Sequence, residues 1–390
     1  MQRDIMILTG AIPCFVLGPA AWWLYWLHLE HGLDWMVFYT AASAYFDGHL
    51  AVLLDPRGFM MALEGRFAGW LAAPPGSHPW VYPPHFLALF LPFGLLPPTL
   101  SYVTFTALTL AGLIGALRLL AGPSWLYAVS VILSPAAAYA VTQGQTSFLA
   151  AALLIGGFAN MATRPVLAGM LFGLLSFKPQ LCLLVPVALL AAAQWRVCLS
   201  ALATGGAAFL VSLLLFGPDL WMGWLAMMTR HTEFFDHWSA VGRLNGMSVY
   251  ACAVAAGASP GVARLAQQAA VLVGVLSVFL AFRRAMPADL RLAVLLATTF
   301  LAAPHVANYD AVLLTVAATL VFRRAFAGDL PQFCMPLAGA LWWSPLLSPA
   351  VLIPIGAYMP LVTCLFLAAL LLPPAAAVRR TSGSLRSVQA

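Results

Sequence analysis

The sequence predicts an all-α, polytopic integral membrane protein, and three observations carry the prediction. Of 390 residues, 63% are hydrophobic and only 8% are charged, against about 25% charged in an ordinary soluble domain. Mean hydropathy is +0.94. The apolar residues come in runs of roughly 20, the length that crosses a bilayer, and not in the alternating strands of a membrane β-barrel. A soluble globule of this composition would lack the polar surface to cover its core. Composition therefore excludes a cytosolic enzyme, a disordered chain and a disulfide-stapled secreted domain. The 30 glycines and 28 prolines agree with this, since both are commoner in membrane helices than in soluble ones.

The elements follow from the apolar runs and from where arginine falls. The run 5–27 has no small-residue cleavage site after it, so it is read as a first span and not as a removed signal. Arg3, Arg118, Arg164, Arg196, Arg283, Arg284, Arg323, Arg324, Arg379 and Arg380 sit at span ends, and all of them can be placed inside. That placement yields about twelve transmembrane helices: 5–27, 100–117, 124–141, 146–162, 165–178, 180–195, 198–216, 265–282, 290–303, 309–322, 331–348 and 351–373. Both termini are then cytoplasmic. Residues 1–375 form one membrane-embedded domain, and 376–390 are a short disordered tail. Two apolar pieces, 83–97 and 246–258, are too short for this parity and read as re-entrant or interfacial helices. The alternative for 83–97 is a true crossing, with Arg118 outside.

The formal net charge of +6 is spread thinly between spans, which argues against a nucleic-acid partner. The six cysteines lie in or beside apolar runs without a C-x-x-C pair and read as small buried hydrophobes. The acids and histidines are more informative. Asp4, Asp289 and Asp329 fall near the inside. Eight of the remaining nine acids lie in two long outer loops, 28–82 and 217–245, and the ninth is Asp310. All eight histidines also map outside. A transporter would place ionisable groups near the bilayer midplane. This asymmetry instead suggests a membrane enzyme working at its outer face.

Within the first outer loop, Asp34 precedes a helix-like stretch, Trp35 to Phe46, with Gly48 placed for a left-handed C-terminal residue. Asp34 reads either as the N-cap of that helix or as a general base held at the membrane surface. The two roles compete, because a carboxylate spent on backbone N–H groups is a weaker base. The loop ends Tyr82-Pro83-Pro84-His85. Its two prolines force an extended entry that is either a plain rigid turn or one wall of a cavity. Lys178, the single lysine, is followed by Pro179 and Gln180 at a tight outer turn. It reads as a snorkelling residue or as a compact phosphate-binding charge. Pro304-His305 leads into Tyr309-Asp310 at the head of a span. There Asp310 is either part of an ordinary helix start or a costly buried charge kept for a function, beside helix N–H groups suited to an anion. No P-loop, dinucleotide fingerprint, H-E-x-x-H or Asp-x-Asp pair occurs. A transferred group must therefore arrive on a membrane-borne donor.

In order and spacing these motifs resemble glycosyltransferase family 87, the polyprenol-phosphate-sugar-dependent membrane transferases of GT-C fold. The matching residues are Asp34 with Phe38-Tyr39-x-Ala-Ala and Gly48, Tyr82-Pro83-Pro84 with Pro92-x-x-x-Leu96-Pro97, and Gly144-Gln145. Ala168-Gly-x-Leu-x-Gly173 with Lys178-Pro-Gln and Pro304-His305 with Tyr309-Asp310 complete the set. The resemblance implies a GT-C-like helical bundle with interfacial helices in the first outer loop. It implies an inverting transfer of a hexose, mannose-type, from a polyprenyl-phosphate sugar to a lipid or glycan acceptor. The reaction would occur on the periplasmic or extracellular side of the bacterial inner membrane. Asp34 matches the general base. His305, Lys178 and Arg243 would attend the donor phosphate. Tyr39, Tyr82, Gln145, Gln180, Tyr309 and Asp310 would line the cavity. No cofactor and no metal site are implied, and the partners are the lipid-linked donor, the acceptor and membrane lipids. A lipid or sugar transporter or flippase is the competing class, and a bland membrane scaffold is a third. The transporter requires midplane charges and inverted repeats that are not evident, and the scaffold leaves the one-sided acids and histidines unexplained.

Overall fold

Proline and glycine decide where the apolar runs become helices. The computed structural model of the protein describes residues 18, 20, 22, 31–71, 78–121, 125–237, 246–331, 333–347 and 357–371. Among them the elements are helical: α1 Leu33–Phe46, α2 Pro56–Phe67, α3 Pro84–Gly94, α4 Pro98–Ala121, α5 Trp125–Ile132, α6 Pro135–Gln143, α7 Ser147–Asn160, α8 Pro165–Leu174, α9 Pro179–Cys182, α10 Val185–Ala191, α11 Trp195–His237, α12 Val249–Ala255, α13 Pro260–Arg283, α14 Ala288–Ala302, α15 Val312–Phe326, α16 Cys334–Trp342 and α17 Met359–Leu371. Short 3-10 turns occupy Leu50–Leu54, Leu175–Phe177 and Asn308–Ala311. Proline opens α2, α3, α4, α6, α8, α9 and α13, where its missing N–H costs nothing and its fixed φ suits the first turn. An isolated bridge joins Gly246 to Ala307.

Three helical stretches, Pro98–Leu120, Trp195–Thr229 and Pro260–Arg283, are long and apolar enough to cross a membrane. The expectation of twelve full spans is not matched. The predicted span 124–141 is two helices, broken where Ser134 caps α6 by accepting from Ala137 N–H. The predicted span 180–195 is split into α9 and α10. The predicted end of a span at 216 coincides with a kink: Gly217 takes φ 78° before Pro218, and helix resumes beyond it. Hydropathy detects an apolar run, and it does not detect a helix break inside that run. The short piece 83–97 is the 11-residue α3, about 16 Å long. The piece 246–258 is the 7-residue α12. Most of the expected span 5–27, the stretch 348–356 and the tail 376–390 lie outside the described residues.

Packing relies on close approach as well as on bulk. α8 lies along α11, and α4 lies along α7. A Cβ on Gly173 of α8 would stand 2.6 Å from the Ala201 carbonyl oxygen, so the backbones meet where only glycine fits. Around α1 the core is aromatic. Trp35 packs against Tyr39, Phe67, Trp70 and Tyr102. Phe38 packs against Tyr82, Phe86, Phe90 and Phe105. Phe86 in turn stacks on Phe177 at 5.2 Å. At the far end of α14 and α15, Arg324 makes two bonds to Asp289, 2.7 and 2.9 Å, and one to Asp329, 2.9 Å.

Candidate active site

The site begins with two glycines. Gly32 (φ 77°) precedes α1 and donates its N–H to the Thr142 carbonyl at 2.7 Å. Gly144 (φ 64°) ends α6 in the left-handed conformation. A Cβ there would lie 2.6 Å from Trp35 Cβ and 2.8 Å from Tyr102. Only glycine lets the 142–146 turn lie this close to the head of α1. Asp34 therefore comes beside Gln145. It does not cap α1, one of the two roles the sequence left open: Gly32 is the N-cap, without a side-chain cap bond, and Asp34 is the second residue of the helix. The structure thus removes the competition between capping and basicity.

The Asp34 carboxyl is hydrogen-bonded by the Gln145 side chain. Burial pushes its pKa above the usual carboxylate range, and the Asp310 carboxylate pushes the same way. His78, the Gln145 bond and Lys178 pull against them. Tyr82 donates its hydroxyl to Gln145 Oε1 at 2.7 Å and lies 3.3 Å from Thr146 Oγ1.

The second half of the site is a buried ion pair. Lys178 Nζ donates to Asp310 Oδ1 at 2.6 Å, and Ser147 Oγ donates to the same oxygen at 2.9 Å. The ammonium also sits 5.2 Å from the Tyr309 ring centre. Lys178 therefore does not snorkel to the surface. Its charge is matched by Asp310, so what it offers a ligand is a directed N–H rather than a net positive charge. The non-helical residue before Pro179 sets this geometry (Lys178 φ −126°). His305 keeps an exposed surface, yet burial lowers its pKa, with Asp310 opposing the shift and Lys178 adding to it. Between His305 and Asp310, the Asn308 Oδ1 atom is buried without a hydrogen-bond donor.

The structure thus brings Asp34, Tyr82, Gln145, Lys178, His305, Tyr309 and Asp310 into one electrostatic neighbourhood. It does not bring Tyr39 there. Expected in the cavity, Tyr39 packs among aromatics and donates to the Leu96 carbonyl at 2.9 Å, fastening α1 to the end of α3. Gln180, half-buried on the Lys178 turn, joins none of these contacts. Arg243 lies outside the described residues. Thr146, Ser147 and the charge of His78 were not singled out from sequence. The signal for the first two was there in Gln145-Thr146-Ser147, three polar residues in succession within an apolar stretch. Among the described residues no three His, Cys, Asp or Glu side chains gather as metal ligands.

The sequence profile of glycosyltransferase family 87 matches residues 80–304, more than half of the 390-residue chain. No curated protein and no solved structure matches the chain. The matched stretch holds Tyr82, Gln145, Lys178 and Gln180; the 305–310 turn begins directly after it, and Asp34 lies well upstream of it. Since the match spans most of the elements that carry the site, the chain belongs to glycosyltransferase family 87.

Proposed function

We propose that this glycosyltransferase moves a hexose, mannose-type, from a polyprenyl-phosphate sugar to a hydroxyl of a lipid or glycan acceptor, with inversion, at the outer face of the bacterial inner membrane. Asp34 acts as general base. It takes the proton of the acceptor hydroxyl as that oxygen bonds to the anomeric carbon. The bond from that carbon to the phosphate oxygen breaks, and its electron pair leaves with polyprenyl phosphate. The remaining Lys178 N–H and a neutral His305 N–H donate to the phosphate oxygens, with Arg243 supplying the net positive charge. Such donors act most strongly where charge develops in a site shielded from water.

The observation that supports this reading is the convergence of an uncapped carboxylate, Asp34, with the Lys178–Asp310 pair and His305. The one-sided distribution of acids and histidines along the chain supports the outer face. The test uses the full chain in lipid with radiolabelled polyprenyl-phosphate sugars, mannose first. The wild type should label an acceptor lipid, and Asp34→Asn should lose about 10² to 10⁴ in rate while it folds normally. A variant that retains half its activity refutes Asp34 as the base. Labelling from a nucleotide sugar, with none from any polyprenyl-phosphate sugar, refutes the donor.

A further inference from the structure

A glutamine amide can point either way, and its neighbours decide which. Gln145 leaves no choice. Its Oε1 accepts three donors: the Tyr82 hydroxyl at 2.7 Å, the Thr146 backbone N–H at 2.6 Å and the Thr146 hydroxyl at 2.9 Å. A carbonyl oxygen so loaded cannot be exchanged for an NH₂ group without setting donor against donor three times. The Nε2 end must therefore face the other way, on the side where the turn abuts the head of α1 beside Asp34, whose pKa the Gln145 amide pulls down. The residue is 4% exposed, so water does not compete for either end. Its backbone is fixed as well: Gln145 N–H reaches the Ala140 carbonyl at 3.0 Å, closing the turn that Gly144 makes possible.

We infer that Gln145 is the positioning residue of Asp34, its amide polarity set by Tyr82 and Thr146 so that an N–H holds the carboxylate in its ionised, proton-accepting form. The inference rests on Asp34 being the base. Gln145 touches no reacting atom. It acts by selecting one carboxylate rotamer and by stabilising the charge that the base must carry before it accepts a proton.

Asp34 is surrounded by other ionisable groups. His78 and Lys178 favour its charge, Asp310 disfavours it, and Tyr82, Tyr139 and Tyr309 lie within electrostatic reach. Gln145 is the one uncharged side chain among the influences on it. Its effect can therefore be removed without changing the net charge of the site. A neutral hydrogen bond to a charged group shifts its titration midpoint by about one to two pH units.

The test reads Asp34 directly, by pH-difference infrared spectroscopy of the full-length protein in lipid without substrate. The protonated carboxyl band of Asp34 is identified by its loss in Asp34→Asn. Gln145→Met keeps the length of the side chain and removes the amide, and should raise the titration midpoint by about one unit or more. Tyr82→Phe removes only one of three donors to Oε1 and should move it less. The acid limb of the kcat/KM profile should shift with the midpoint in each variant. A purely structural role would lower the melting temperature and leave the midpoint in place. An unmoved midpoint in Gln145→Met overturns the inference, as does an equal shift in Tyr82→Phe. Should Gln145→Met fail to fold, Gln145→Asn, which withdraws the amide by one methylene, is read in the same way. Because the band is read without substrate, failure here is distinct from failure of the base assignment, which Asp34→Asn turnover decides.

Discussion

Removing one member of the Lys178–Asp310 pair leaves the other charge buried without a counter-ion. Asp310→Asn is the cleaner perturbation. It keeps the shape and keeps an oxygen for the Ser147 hydroxyl, 2.9 Å away, but discharges the partner of the ammonium. The two side chains are 4% and 2% exposed and their charged atoms are 2.6 Å apart, so water cannot take the vacated role. The gross attraction at that separation is about 6 kcal/mol with an effective dielectric near 20. An ordinary lysine escapes an uncompensated site by losing its proton, at about 4.6 kcal/mol at pH 7, and that limits the cost. Breaking one side of a buried pair costs about 3–5 kcal/mol, a range whose upper end meets that limit. Asp310→Asn should therefore lose about 3–5 kcal/mol, whereas the double variant Lys178→Met with Asp310→Leu should recover most of it. Denaturation of the wild type, Lys178→Met, Asp310→Leu and the double variant in one detergent closes the cycle, with Asp310→Asn measured beside them. A loss below about 1 kcal/mol in Asp310→Asn, or a double variant as unstable as the two single losses added, would refute the buried-pair reasoning.

Other outcomes follow from the same geometry. With the Asp34 pKa raised by burial, the acid limb of kcat/KM should lie above about 4, the ordinary aspartate value. The folded protein holds this proton more tightly than the unfolded chain does. Its contribution to stability should therefore fall as pH rises through the window above that ordinary value, and a pH series of melts on wild type and Asp34→Asn checks this. Gly144→Ala should cost at least about 1 kcal/mol for the left-handed backbone alone, and more from the 2.6 Å approach to Trp35 Cβ. Wild-type melting and turnover in that variant would contradict the role of the turn. Ala51, which is exposed and lies in the loop expected to face outward, replaced by cysteine in a background lacking the native six, should react with an impermeant thiol reagent in outer-permeabilised cells. Labelling only after lysis would invert the topology.

Membership of the family was legible because its motifs keep their order along the chain, even though each alone is weak. The helical character of 35–46 and the left-handed Gly48 (φ 75°) were legible for local reasons, since propensity and backbone sterics act within a few residues. The ion pair was not. Lys178 and Asp310 are 132 positions apart, and no local pattern links them, so Lys178 was read alone as a snorkelling or phosphate-binding charge and Asp310 alone as a helix start or a costly buried charge. The cap at Asp34 failed for a different reason. An aspartate before a helix is a good cap only when the chain enters in an extended form, and Gly32 turns it left-handed instead. Tyr39 sits on the same helix as Asp34, and its hydroxyl looks equally available in sequence. The fold spends it on the end of α3.

The stacking of Phe86 on Phe177 has a mechanical consequence. Phe177 is the residue before Lys178, and Phe86 lies against Phe38 and Tyr82, which belong to the Asp34 side of the site. The segment that carries Asp34 and the turn that carries Lys178 are thus joined through one aromatic stack. A shift of either one disturbs the packing of the other. A substitution such as Phe86→Ala touches no ionisable group, and it would let the two halves wander independently, widening the spread of reactive geometries rather than altering any one of them.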